Sequence, residues 1–255
     1  MKVFKSVSIF ASVSIITSGI SFLLLPILTK YLSKEDYGVL SVFNASTRFI
    51  SILISLGVTS ILMTKIFKKD NFSLSSYFKT YYVLILLNCF IVSIFVTISL
   101  LFFDDFFGIP KKIALFIPLI ASGILFYELI LSLMIYKRQP LSYAVTSLSK
   151  FGMEIILTLL FVVVLFYNWE GRVCSLVIAI IFINVISLRY LKKENLLNGK
   201  FDFKKLKEMV FFSAPFLMFD FSTVVLNLSD RYFIEYFLGL SKTGIYSIAF
   251  LVGSI

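Results

Sequence analysis

"TKYLSKEDYGVLSVFNASTRFIS", residues 29–51, buries an arginine in an apolar run. Residues 33–38 are polar and read as a tight turn. From Val39 onward the chain is apolar apart from Asn44, Arg48 and scattered Ser and Thr. The stretch reads as the exit of one membrane span, a turn, and the start of the next. At about 1.5 Å per residue, Arg48 lies roughly 14 Å into that second span, close to the middle of a bilayer. An arginine there costs about 2.5–3.5 kcal/mol even on a lenient insertion scale, so it needs a polar place to sit.

The same pattern extends along the whole chain. Its 255 residues are 59% hydrophobic, with 24 Lys+Arg against 14 Asp+Glu. Apolar runs long enough to span recur at 7–32, 39–63, 80–103, 113–136, 142–167, 173–191 and 209–238, and an eighth begins near Gly244. The sequence therefore predicts an all-α polytopic membrane protein, in which lipid covers most of the apolar surface. The net charge of +10 does not point to nucleic acid, because the basic residues cluster in short loops between spans. Fifteen fall on the side of the N-terminus and six on the other; Arg48, Lys150 and Arg231 lie inside spans. That bias predicts a cytoplasmic N-terminus. The basic 189–208 segment is expected to attract anionic membrane lipid. The basic, apolar start reads as an uncleaved first span.

Several chemistries are disfavoured. There is no histidine, which removes the commonest general base and most zinc sites. Cys89 and Cys174 form no framework with metal-ligand spacing. No catalytic residue, metal or cofactor is expected. Both sets of loops are short, whereas a membrane enzyme acting on a bulky soluble substrate usually brings an extramembrane domain.

Polar residues inside the spans form stripes. Asn44, Arg48, Ser51, Ser55 and Thr59 are spaced 4, 3, 4 and 4 apart, one face of a helix. Ser14, Thr17 or Ser18, and Ser21 stripe the first span; Ser213, Asp220, Thr223 and Asn227 stripe the seventh. Ser and Thr also serve as helix-packing glue, but three such stripes favour a shared hydrophilic cavity. Arg48 suits a phosphate or diphosphate because its donors form a planar fork. Its alternative role is a structural pair with Asp220 or Glu128. Asp220 reads equally as an ion-coupling site or as that counter-charge. Lys150 and Glu154, four apart, read first as a local pair, with ion coupling through Glu154 as the second reading.

Shifting the chain against itself by 206 positions aligns Gly38 with Gly244, Ser41 with Ser247, Thr17 with Thr223 and Leu32 with Leu238. The polar stripe of span 1 then falls on that of span 7. Internal repeats with a site at their interface mark transporters. The expected organisation is a six-span lobe over 1–191, a basic cytoplasmic linker over 192–208, and the start of a second lobe over 209–255. The chain is accordingly expected to be the N-terminal part of a longer protein.

At "LLLPILTKYLSKEDYGVLSVF" (23–43), "LISLGVTSILMTKIF" (53–67) and "SAPFLMFDFSTVVLNLSDRYFIEYFLGLSKTGIYSIAF" (213–250), the chain resembles the oligosaccharide flippases of bacterial polysaccharide biosynthesis. These belong to the multidrug/oligosaccharidyl-lipid/polysaccharide exporter superfamily. The resemblance implies a MATE-like, two-lobe transporter in the plasma membrane whose central cavity opens alternately to each side. It implies a cargo of undecaprenyl-diphosphate-linked oligosaccharide, as in O-antigen or capsule assembly, moved from the cytoplasmic to the outer leaflet. Arg48 would supply the cavity's positive charge, with Asn44, Ser51, Ser55 and Asn227 as further cavity residues. Asp220 and Glu154 would be the ion-coupling candidates. Expected partners are the lipid-linked oligosaccharide, membrane lipids and polysaccharide polymerase machinery. Two alternatives remain open: cation-coupled drug efflux, and a membrane glycan polymerase or ligase.

Overall fold

A computed structural model of the chain describes residues 2–67, 74–103, 105–106 and 108–253. Lys68, Lys69 and residues 254–255, which entered the loop and repeat arguments, lie outside the described residues. The helices are α1 Lys2–Tyr31, α2 Lys34–Ser55, α3 Val58–Phe67, α4 Leu74–Phe102, α5 Lys111–Ala114, α6 Ile117–Tyr136, α7 Pro140–Thr158, α8 Asn168–Lys193, α9 Phe203–Leu238 and α10 Leu240–Gly253. A two-residue hairpin, β1 Asp105–Phe106 with β2 Ile109–Pro110, closes the turn after α4. Seven helical segments among the described residues are long and apolar enough to span a bilayer, and α10 is a shorter apolar helix. Large apolar side chains face outward, among them Phe90 and Phe95 on α4 and Leu226 on α9. With those lengths and that surface, the protein is a multi-pass membrane protein.

The structure differs from the sequence reading in three instructive places. Residues 33–38 are not a turn. Ser33 caps α2 in a capping box: the Asp36 N–H donates to the Ser33 hydroxyl at 3.1 Å and the Ser33 N–H to the Asp36 carboxylate at 2.8 Å. Helix therefore starts at Lys34, and Gly38 is helical. The second span is not continuous either. Leu56 and Gly57 adopt left-handed backbone (φ 49° and 71°) and end α2, and α3 resumes at Val58. The break is supported from α4, where the Asn88 side-chain amide donates to the Ile54 carbonyl at 2.9 Å. Such a partner is what lets a helix break inside a bilayer. Finally, α7 ends in a π-helical turn, Leu159–Val164, and α8 begins at Asn168, so residues 168–172, which the sequence leaves as a turn between the fifth and sixth apolar runs, are helical.

The core is built around α6. Ile117, Ala121, Leu129, Ile130 and Leu133 are fully or almost fully buried among Ile54, Leu62 and Tyr81 of α2, α3 and α4. α1 is peripheral, touching α7 and its π turn through Leu24, Leu28, Leu32 and Val162. α9 and α10 pack on α2. The basic stretch before α9 is pinned to α4. The Ser76 hydroxyl donates to the Lys200 carbonyl at 2.8 Å, and the Asp202 N–H to the Thr80 hydroxyl at 3.1 Å. Asp202 then caps α9 by accepting from the Lys204 N–H at 2.9 Å.

Candidate functional site

Helix direction defines two ends: the near end, where α1 starts, and the far end, where α2 and α10 start. Three arrangements matter between them.

The first lies at mid-depth. Arg48 on α2 forms an ion pair with Glu128 on α6, Nη1 to Oε1 at 3.0 Å. Their side chains are 54% and 41% exposed, so the pair lies open rather than in a packed core. The charge of Arg48 also reaches Asp220 on α9. Of the two counter-charges considered from the sequence, Glu128 makes the contact and Asp220 stands nearby. Asn44, one turn from Arg48 toward the far end, is exposed on the same face. Asn227 on α9 is exposed, and its amide donates to the Thr223 carbonyl at 2.7 Å. Ser51 and Ser55 are placed differently. They are 3% and 5% exposed and donate to carbonyls of their own helix, Thr47 at 2.8 Å and Ile52 at 3.3 Å. Thr59 lies beyond the break and pairs with the Tyr81 hydroxyl at 2.7 Å. The five-residue stripe is thus divided. Asn44 and Arg48 are exposed, Ser51 and Ser55 are buried, and Thr59 bonds to α4.

The second arrangement is a cavity of about 440 Å³ toward the far end, bounded by α1, α2, α7, α8, α9 and α10. Glu154, only 5% exposed, faces it from α7. Glu154 is held by Lys150 and by Arg172, whose Nη2 lies 2.8 Å from Oε1; Arg172 also donates to the Thr158 hydroxyl at 2.7 Å. Arg231 contributes from α9. It pairs with Asp230 at 3.0 Å, donates to the Asn227 carbonyl at 2.5 Å, and lies over the Phe250 ring at 4.6 Å. Asn44 borders this cavity too, so it joins the two polar regions. Arg172 is the residue that sequence reasoning missed, having been counted as a loop cation. The signal available was the short turn between two antiparallel spans, which places residues on either side of it opposite one another.

The third arrangement is the α2–α10 crossing. A Cβ built on Gly38 would lie 2.1 Å from the Leu240 carbonyl oxygen, and one on Gly244 only 1.9 Å from that of Lys34. Both residues must be glycine for the backbones to approach this closely. The Ser247 hydroxyl donates to Ser41 at 2.6 Å. Ser41 and Ser247 are 206 residues apart; the contacts Gly38–Leu240 and Lys34–Gly244, 202 and 210 apart, exchange with one another under the same offset. The two helices therefore meet about a local two-fold axis.

Among curated proteins and among solved structures, nothing matches this chain. The polysaccharide biosynthesis protein family matches residues 3–255. That match covers the Arg48–Glu128 pair, the far-end cavity and the α2–α10 crossing, and the chain belongs to the polysaccharide biosynthesis protein family.

Proposed function

We propose that this protein is a flippase for undecaprenyl-diphosphate-linked oligosaccharide, moving the repeat unit from the cytoplasmic to the outer leaflet of a bacterial plasma membrane. The observation that carries the reading is Arg48, a half-exposed guanidinium at mid-depth in a member of a polysaccharide biosynthesis family. In this reading the pair lines a groove: the counter-ion Glu128 is also partly exposed, so a diphosphate can approach the fork without first dismantling a buried pair. The isoprenoid tail stays in the bilayer while the charged head crosses along the groove. No bond is made or broken, and the protein acts as a transporter, not an enzyme. The near end faces the cytoplasm, as the basic bias of its loops favours.

Within this reading Arg48, Asn44 and Asn227 contact cargo, whereas Ser51 and Ser55 set the packing behind them. Asp220 is the better candidate for ion coupling. Glu154 is clamped between two cations, Lys150 and Arg172, and serves as their structural partner.

The test is made in the host with its gene deleted. Lipid-linked oligosaccharide in the inner membrane and polymer at the surface are measured, with rescue by wild type or by an inserted Arg48→Ala variant. Accumulated precursor, lost polymer and failed rescue by the variant are expected. Normal precursor and polymer together with altered drug tolerance would overturn the reading in favour of efflux.

A further inference from the structure

The far-end cavity has a composition unlike that of the Arg48 groove. We propose that it is a saccharide subsite, binding an uncharged, hydroxyl-bearing part of the cargo's head while Arg48 engages the charged part. This rests on the flippase reading and assigns residues that the reading does not use: Tyr37, Glu154, Arg172 and Arg231.

One wall of the cavity is polar, and its charges are already engaged. Arg172 holds Glu154 and Arg231 holds Asp230. An anionic ligand would have to compete with these carboxylates, and a cation would meet the guanidiniums. A neutral polyol does neither. Its hydroxyls can accept from spare guanidinium N–H groups and donate to carboxylate oxygens at once, without changing the charge of the site.

An unsatisfied group points the same way. The Tyr37 hydroxyl borders the cavity and is enclosed, yet has no hydrogen-bond partner among the described residues. A buried hydroxyl without a partner is costly, and a ligand hydroxyl would remove that cost. The facing wall is apolar: Leu24, Leu25 and Leu28 of α1, with the Phe250 ring to one side. A pyranose has this same division, a rim of hydroxyls and a face of C–H bonds. A purely apolar ligand would leave Glu154 and both guanidiniums facing hydrocarbon. The volume of about 440 Å³ lies within the usual range for small-ligand sites and admits a monosaccharide or disaccharide.

The test compares two synthetic probes on the purified protein in lipid nanodiscs. One is a bare polyprenyl diphosphate; the other is the same lipid carrying an N-acetylglucosamine disaccharide. The readout is the ratio of the two dissociation constants. In wild type the glycosylated lipid is expected to bind at least tenfold more tightly. Leu28→Trp, which fills the cavity from the α1 side without touching a charge, should bring the ratio close to one. Tyr37→Phe should lower it three- to fivefold. A wild-type ratio near one, or a ratio that Leu28→Trp leaves unchanged, overturns the subsite while binding of the bare lipid still supports the flippase reading. Binding of neither lipid overturns both. A third probe carrying a uronic acid in place of the terminal sugar tests the charge argument, and tighter binding of that probe would overturn it.

Discussion

Replacing Gly244 by alanine puts a methyl carbon 1.9 Å from the Lys34 carbonyl oxygen, where α10 crosses α2. Ordinary contact begins near 3.4 Å, so α2 and α10 must separate by roughly 1.5 Å at this point. That movement carries the Ser41–Ser247 hydroxyl pair, now 2.6 Å apart, out of hydrogen-bond range. Overpacking costs about 1–3 kcal/mol. An interhelical hydrogen bond in a membrane averages about 0.6 kcal/mol. The expected loss is therefore about 2–3 kcal/mol. Gly38→Ala should behave alike, because its Cβ would meet the Leu240 carbonyl at 2.1 Å across the same axis. Since one separation relieves both clashes, the second substitution should cost less than half the first, a coupling of about 1 kcal/mol or more. Ser41→Ala is the control, at about 0.6 kcal/mol. Unfolding of the micelle-bound protein in SDS, followed through its single tryptophan, Trp169, measures all four variants. Strict additivity of the two glycine changes, or a neutral Gly244→Ala, would refute the shared two-fold contact.

Three further outcomes follow from the geometry. Arg48 and Glu128 are half-exposed, so in a wet groove Glu128→Gln should cost under about 1 kcal/mol; a loss of about 3–5 kcal/mol in the same titration would instead place the pair in a dry interior. Asn88→Leu should cost about 1–2 kcal/mol by leaving the Ile54 carbonyl at the α2 break without its side-chain partner, whereas Asn88→Gln should recover part of it; equal losses would show that the amide is not needed. At the near end, the Lys137 ammonium is hydrogen-bonded to Glu194 and holds its carboxyl below the usual carboxylate range. A carboxyl depressed in the folded state contributes stability above its unfolded pKa, and that contribution is lost as pH falls through the folded value. Glu194→Gln should therefore cost about 0.5 kcal/mol at neutral pH, and the difference from wild type should vanish on acidification in a pH series of the same unfolding measurement.

Much of the architecture was legible because membranes impose local rules. Span length, the basic bias of the loops and the 206-residue offset are properties of linear spacing, and no partner is needed to read them. Arg48 was legible as a residue needing polar surroundings, since the cost of a central guanidinium depends on depth alone. The capping box at Ser33 and Asp36 is equally present in the sequence, but the same polar residues suit a turn, and only the backbone geometry distinguishes the two.

What periodicity could not carry is rotation and register between helices. Residues spaced 4, 3, 4 and 4 share a face, but the neighbour that face meets depends on how far α2 turns against α4, α6 and α9. The tertiary structure alone decided that Arg48 pairs with Glu128 from 80 positions away, and that Ser51 and Ser55 lie against packed helix. It alone brought Arg172 from an apparent loop onto Glu154. The 206-residue offset needed only spacing to be seen. That the two related helices touch, glycine against carbonyl and serine against serine, needed them brought together in space.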